Sequence, residues 1–427
     1  MKTIIKNFER FDSHIIKKNL KFNHWDVWPI LRVPFYQEIV NEVCLLEGKK
    51  KITGKRKKNL FIYFRRVLEL FTNILSLKSL VSHYDILVIN NENKKIKINN
   101  KLTSKLIWTF ENSLSNDHKL LIVNTQSTSI SKHRLPIINC SSIISFVTKI
   151  ICLSFIKSKW LESENVIKKN LPLYFDINLD YKKLYQNLIY QVVLGNFFKL
   201  LIKIRKPKLI IFSDNGGMCT VNKIATELKI PTVDYQHAVN VTFHIVYNHN
   251  ENISKNYRKY LSDYLIVWGK YKTKKFDRFY KCRVGGNAYL ENEAKSLKKI
   301  RKEKKSILII SDGSLTRDGL SRLLSYLAKN LKNHKLYFKL RPDEYDDWKL
   351  FFSRDLIKQK NIFFISADNK NLYTYLKKCN YVIGTCSSVL VEALPFTNVI
   401  IYDEGFSFIM QDYINDKIFL FAKSRED

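Results

Sequence analysis

The chain has 427 residues, 45% of them hydrophobic, and a formal net charge of +34. That length points to two domains, each with a core of ordinary size. Seven scattered cysteines without a C-x-x-C pair exclude a disulfide framework and a structural zinc site, while the charge draws the protein toward polyanions: nucleic acid, anionic lipid or phosphorylated sugars.

Met1-Lys2-Thr3-Ile4-Ile5-Lys6 runs straight into charge rather than into the apolar core of a secretory leader, so a cytoplasmic location is expected. A dense aromatic patch follows, from Trp25 through Trp28 and Pro29 to Phe35 and Tyr36. The basic run Lys49–Lys58 then leads into Leu60–Phe71, which reads as an amphipathic helix with a basic face. Such a helix suits an anionic membrane surface and suits equally the flank of its own domain. Residues 1–83 are expected to form an aromatic and basic segment of the first domain, able to associate with membrane.

From Tyr84 the pattern changes to α/β. Asp85–Ile89, Leu120–Val123, Leu209–Phe212, Thr232–Tyr235 and Tyr264–Trp268 are short apolar runs bounded by polar residues, as buried parallel strands are. Ile143–Ile156 is too short for a membrane span, is interrupted by Lys149, and reads as a buried helix. Further helices are expected over Tyr181–Ile204 and Met218–Leu228. Residues 84–290 thus read as a Rossmann-like domain, and the charged stretch 291–305 reads as a linker. In residues 306–427 the alternation is clearest. Strands fall at Ser306–Ile310, Leu336–Leu340, Ile362–Ile365, Tyr381–Ile383 and Val399–Tyr402, with helices over Asp318–Lys332, Asp346–Leu356, Asn371–Lys378 and Ser387–Leu394. Two doubly wound sheets imply a cleft lined by strand ends, where such sheets bind ligands.

Four clusters stand at those ends. Gly384-Thr385-Cys386-Ser387-Ser388 joins a strand to a helix, with Gly for close backbone approach and hydroxyls to cap the helix and hold an anion. Cys386 fits a small spacer better than a nucleophile, because no His lies near it in sequence. Arg341 offers a planar fork for phosphate or carboxylate where Pro342 turns the chain out of its strand. Ser311-Asp312-Gly313 forms a tight turn after the first strand of the second domain. In the first domain, Asp214 stands before Asn215-Gly216-Gly217, and Asp234-Tyr235-Gln236-His237 ends the next strand. Asp214 or His237 would serve as the general base toward an acceptor hydroxyl, with a plain helix cap as the alternative for Asp214 and a grip on phosphate or carboxylate as the alternative for His237. No metal-ligand spacing and no G-x-G-x-x-G stands among them.

In order, these segments resemble those of GT-B-type glycosyltransferases of bacterial capsule and lipopolysaccharide synthesis. Tyr235-Gln236-His237-Ala238 is similar to their Q-H-G/A segment, and Val284-Gly285-Gly286-Asn287 to their V-x-G-N-P step. Tyr381–Leu394 is similar to their donor-binding stretch, above all in enzymes using CMP-activated ulosonic acids and in related glycerophosphotransferases. The resemblance implies two facing Rossmann-like domains, with a nucleotide-sugar as substrate and no cofactor or resident metal. It places Ser387 and Ser388 at the donor phosphate, Glu392 at the ribose or base, and Arg341 near the phosphate or a sugar carboxylate. It further implies a glycan or lipid-linked glycan acceptor at an anionic membrane surface. Those enzymes carry His-Pro where this chain has Arg341-Pro342, and arginine cannot act as an acid toward the leaving group. Transfer of glycerol phosphate or another polyol phosphate is the alternative on the same scaffold. Nucleic-acid binding would also use the charge, yet no binding motif stands in the chain and its basic residues are spread throughout, so none is expected.

Overall fold

The computed structural model describes residues 2–46, 83–91, 96–98, 101–114, 117–125, 135–153, 157–236, 244–271, 273, 276–312, 317–341, 344–345, 348–366, 371–405 and 407–427. The basic segment 49–71 lies outside these residues, as do His237 and Gly313.

The chain opens with the helix Lys2–Ile16, whose Ile4, Phe8, Phe11 and Ile15 recur at three- and four-residue spacing and are buried. A hairpin of β1 (Lys21–Phe22) and β2 (Trp25–Asp26) leads into the helix Val27–Leu46. Trp25, Trp28 and Phe35 are at most 2% exposed. The aromatic patch is therefore largely core of the first domain. Asp12 and Arg32 tie the two helices together by an ion pair of 3.0 Å, both side chains almost wholly buried.

The first sheet follows, with β3 (Ile86–Asn90), then the separate hairpin β4 (Ile96–Ile98) and β5 (Lys101–Thr103), then β6 (Leu120–Asn124) and β7 (Ile137–Asn139). After three helices come β8 (Leu209–Phe212), β9 (Thr232–Tyr235), β10 (Tyr264–Val267) and β11 (Lys281–Val284). The order is β11-β10-β9-β8-β3-β6-β7, parallel throughout. Chain order reverses between β3 and β8, which opens a crevice at their carboxyl ends.

The helix Tyr181–Arg205 is long and apolar enough to cross a membrane. Here it packs in the domain core, burying Leu184, Leu188, Leu194, Phe198 and Ile202. Gly195 lets it approach the hairpin: a Cβ there would stand 2.5 Å from Trp25 Cη2 and 3.0 Å from Thr220 Cβ. Gly195→Ala, although a gain in helix propensity, is expected to destabilise the protein by about 1–3 kcal/mol through overpacking, read from the midpoint of urea unfolding. The helix Ser141–Leu153 departs from the buried helix expected at 143–156. Its Ile144 is fully buried, but Phe146 and Ile150 are 56% and 52% exposed. Only one stripe of this apolar sequence meets the core, so the helix lies on the flank.

The chain passes to the second domain at Gly285-Gly286-Asn287. Gly286 has φ 75°, and a Cβ on it would meet the Glu291 carboxylate. Asn287 Oδ1 accepts the Leu290 N–H at 3.1 Å and starts the helix Ala288–Ser296. Tyr289 and Leu290 of that helix are buried in the second domain's core. The stretch expected as a linker at 291–305 is thus in part a helix of the second domain, and the crossing lies just before it.

The second sheet comprises β12 (Ser306–Ile310), β13 (Lys335–Lys339), β14 (Ile362–Ile365), β15 (Tyr381–Gly384), β16 (Asn398–Tyr402) and β17 (Leu420–Ala422). It runs β14-β13-β12-β15-β16-β17, again parallel, with its reversal between β12 and β15. The expected architecture of two parallel α/β domains is the one observed.

Candidate active site

Both reversals carry polar residues, and side chains beyond the strand ends bring the two sheet edges together. Lys105 opens the helix Lys105–Leu114 after β5, and its Nζ lies 2.9 Å from Glu392 Oε2 and 2.9 Å from Tyr373 Oη in the second domain. Tyr373 Oη also donates to Glu392. The Lys105 ammonium sits 5.3 Å from the Tyr289 ring centroid and 5.5 Å from that of Tyr373, and Trp108 meets Tyr289 edge-on. Beyond β10, the Tyr271 ring packs at a tilt of 40° against Tyr413, 4.5 Å between centroids, and its hydroxyl donates to Asp416 at 2.8 Å.

On the first edge Asp214 follows β8 with φ 67° and ψ 81°, a left-handed conformation that a residue with a Cβ holds only under strain. It occupies the N-cap position of the helix Asn215–Glu227, yet its side chain makes no capping hydrogen bond. The plain-cap reading therefore fails. Asn91, beyond β3, donates to Ser213 O and accepts from Ser213 Oγ at 3.1 Å, bridging the reversal beside Asp214. Asp234, on β9, is fully buried, and its Oδ2 accepts the Asn215 N–H at 2.9 Å. Burial, followed by the Asp214 charge, holds the Asp234 carboxyl well above its ordinary pKa. Gln236, in the segment similar to Q-H-G/A, accepts from Trp268 N and from Trp268 Nε1 through its side chain and carbonyl, both at 2.8 Å, so it fastens the ends of β9 and β10.

The second edge is rearranged relative to the sequence reading. Asp312 Oδ2 accepts from Thr385 N at 2.9 Å, from Cys386 N at 3.0 Å and from Thr385 Oγ1. Two amides of the turn expected to bind an anion are thus already bonded to a carboxylate of the chain itself. Gly384 makes room for Leu390, since a Cβ there would stand 3.0 Å from Leu390 Cδ2. Ser387 Oγ accepts the Val389 N–H at 3.4 Å and caps the six-residue helix Ser388–Ala393, where Ser388 is its first residue and half-buried. Burial, aided by Asp312, pushes the Cys386 thiol up to about 12, which makes it the inert spacer expected. Ser311 is buried and donates to Glu344 Oε1 at 3.0 Å, so it faces inward. Glu344 Oε2 accepts the Arg341 N–H at 2.8 Å. The Arg341 guanidinium is exposed, with Nη1 donating to Asp312 O at 2.8 Å. Glu392 is 4% exposed and bonded to Lys105 and Tyr373, so it joins the domains where the resemblance placed a ribose.

Among the described residues, no group of three or more His, Cys, Asp or Glu side chains is gathered to hold a metal ion. The sequence reading missed Asn91, Lys105 and the role of Asp234. Of these only Asp234 carried a signal, a carboxylate inside an otherwise uncharged strand.

No family model and no curated protein matches the chain in sequence. Among solved structures it is similar to a UDP-GlcNAc 2-epimerase from Methanocaldococcus jannaschii, at 11% identity and a TM-score of 0.47 over 80% of this chain and 89% of that one. It is also similar to a ugt transferase from Siraitia grosvenorii in complex with UDP, at 10% identity and 0.43 over 79% and 85%. A third is Os79 from O. sativa in complex with U2F and trichothecene, at 9% identity and 0.48 over 80% and 88%. Likeness at this level follows the chain path and assigns no residue a role.

Proposed function

We propose that the protein is a GT-B-type glycosyltransferase that moves a sugar from a nucleotide-sugar to an acceptor hydroxyl. The observation that supports this reading is that each sheet reverses its chain order at strand ends bearing polar residues, while Lys105 of the first domain bonds Glu392 of the second. Strained Asp214 stands at the reversal of the first sheet, and exposed Arg341 with Ser387 and Ser388 follows strands of the second. Asp214 takes the acceptor proton as the sugar bond to the nucleotide breaks. Arg341 stabilises the charge that builds on the departing phosphate, a task for which its permanent charge and fork suit it. The cleft needs no resident metal for this division of labour.

The donor is proposed to be CMP-linked and acidic, with Arg341 facing both phosphate and sugar carboxylate. The acceptor is a lipid-linked surface glycan presented at the cytoplasmic face of an anionic membrane, toward which the charge of +34 draws the protein. A thermal-shift panel of CMP-, UDP- and GDP-sugars together with CDP-glycerol tests the reading. Stabilisation by CMP-sugars, followed by release of CMP, supports it. A response to CDP-glycerol alone moves the assignment to polyol-phosphate transfer, and silence toward every donor overturns it.

A further inference from the structure

Asp234 stands one strand away from Asp214, in the middle of the first sheet, and is fully buried. Its Oδ2 holds the amide of Asn215, the residue immediately after the strained turn. Its Oδ1 is buried and has no hydrogen-bond partner among the described residues. No basic side chain among them forms an ion pair with it. The titratable groups that act on it are Asp214 from the turn, with the buried phenols of Tyr247 and Tyr280. Burial raises both phenols well above their ordinary range, so both stay neutral beside it. A carboxyl so placed, with only neutral donors near it (the amides of Asn215 and Asp214 and the Tyr247 phenol) and a second carboxylate nearby, holds its proton. Its Oδ2 remains the acceptor for Asn215.

We propose that Asp234 is the positioning residue of Asp214: an uncharged buried carboxyl that clamps the left-handed turn through Asn215 and leaves the charge of the pair at the cleft. This rests on the reading of Asp214 as the general base. Asp234 itself reaches no substrate. Its work is to hold the turn in a conformation that would otherwise relax, and to do so without a second negative charge beside the base.

Two measurements on the full chain decide the matter. The first is unfolding stability against pH for the wild type and Asp234→Asn, whose amide keeps the bond to Asn215 but cannot ionise. A carboxyl raised in the folded state contributes fully below its unfolded value of roughly 3.9, and that contribution is lost as pH climbs through the folded value. Asp234→Asn is therefore expected to gain stability relative to the wild type with rising pH. Parallel curves for the two proteins overturn the proposal. The second is turnover of the donor that the panel identifies. Asp234→Asn is expected within about threefold of wild type, and Asp234→Ala about tenfold lower in kcat with KM held. A loss in Asp234→Asn as deep as that of Asp214→Asn also overturns it. If no donor is consumed by the wild type, the transferase reading fails, and the stability curves still decide the role of Asp234.

Discussion

Asp12→Ala is expected to destabilise the first domain by about 3–5 kcal/mol, the range for a buried ion pair stripped of one partner. Both side chains of the Asp12–Arg32 pair are at most 4% exposed. Asp12 also accepts Trp28 Nε1 at 2.6 Å. Arg32 reaches further, donating to Ile245 O and, at 2.7 Å, to Asn248 O. Burial works against the Arg32 charge, yet Asp12 beside it more than offsets that and holds the guanidinium above its ordinary pKa. Removal of Asp12 leaves this cation in the core with two backbone carbonyls as its hydrogen-bond partners among the described residues. Asp12→Ala with Arg32→Met removes both charges and is expected to recover most of the loss, because desolvation of the ions disappears with them. Chemical denaturation of the two single variants and the double variant completes the cycle. Additive losses would show that the pair acts through packing alone.

Asp214→Asn is expected to lower sugar transfer by about 10²–10⁴-fold without changing the fold, the span usual for loss of a general base. Asp214→Gly makes the sharper test. Glycine relieves the left-handed strain at φ 67°, so that variant is expected to be about 1 kcal/mol more stable than wild type and still inactive. Stability from denaturation and turnover of the donor found in the thermal-shift panel are read on the same samples. A stabilised Asp214→Gly with full turnover would remove Asp214 from the chemistry. A gain in stability with a loss of rate is the signature of strain kept for function.

Much of the architecture was legible because parallel strands buried on both faces become unbroken apolar runs, as in Ile86–Asn90 or Ser306–Ile310. The strands that escaped notice were short and lay at or beside sheet edges. In β11, Lys281-Cys282-Arg283-Val284 shows only one buried residue, and β17 is three residues of mixed exposure. The site was less legible than the sheets. Asp214, Arg341 and Ser387 could be found because polar residues after apolar runs mark strand ends. The turn of Asp312 onto Thr385 and Cys386 could not, since 73 residues separate the carboxylate from the first of those amides. Lys105 and Glu392 are 287 residues apart, and neither has a neighbour in sequence that announces the other. Gly384 carries a second reason that its place at a strand end does not announce: it makes room for Leu390.

The contacts between the domains are unevenly placed. Tyr271 with Tyr413, and the single crossing at Gly285-Gly286-Asn287, both follow the adjacent strands β10 and β11 at one margin of the first sheet. Tyr235 Oη steadies the crossing through its bond to Gly286 O at 3.0 Å. Lys105 on Glu392 is a third attachment, made from the segment after β5. Lys105 also sits 5.3 Å from the ring of Tyr289, two residues past the crossing, and Trp108 meets that ring edge-on. The attachment through Glu392 and the covalent crossing are therefore neighbours, and a change at one is felt at the other.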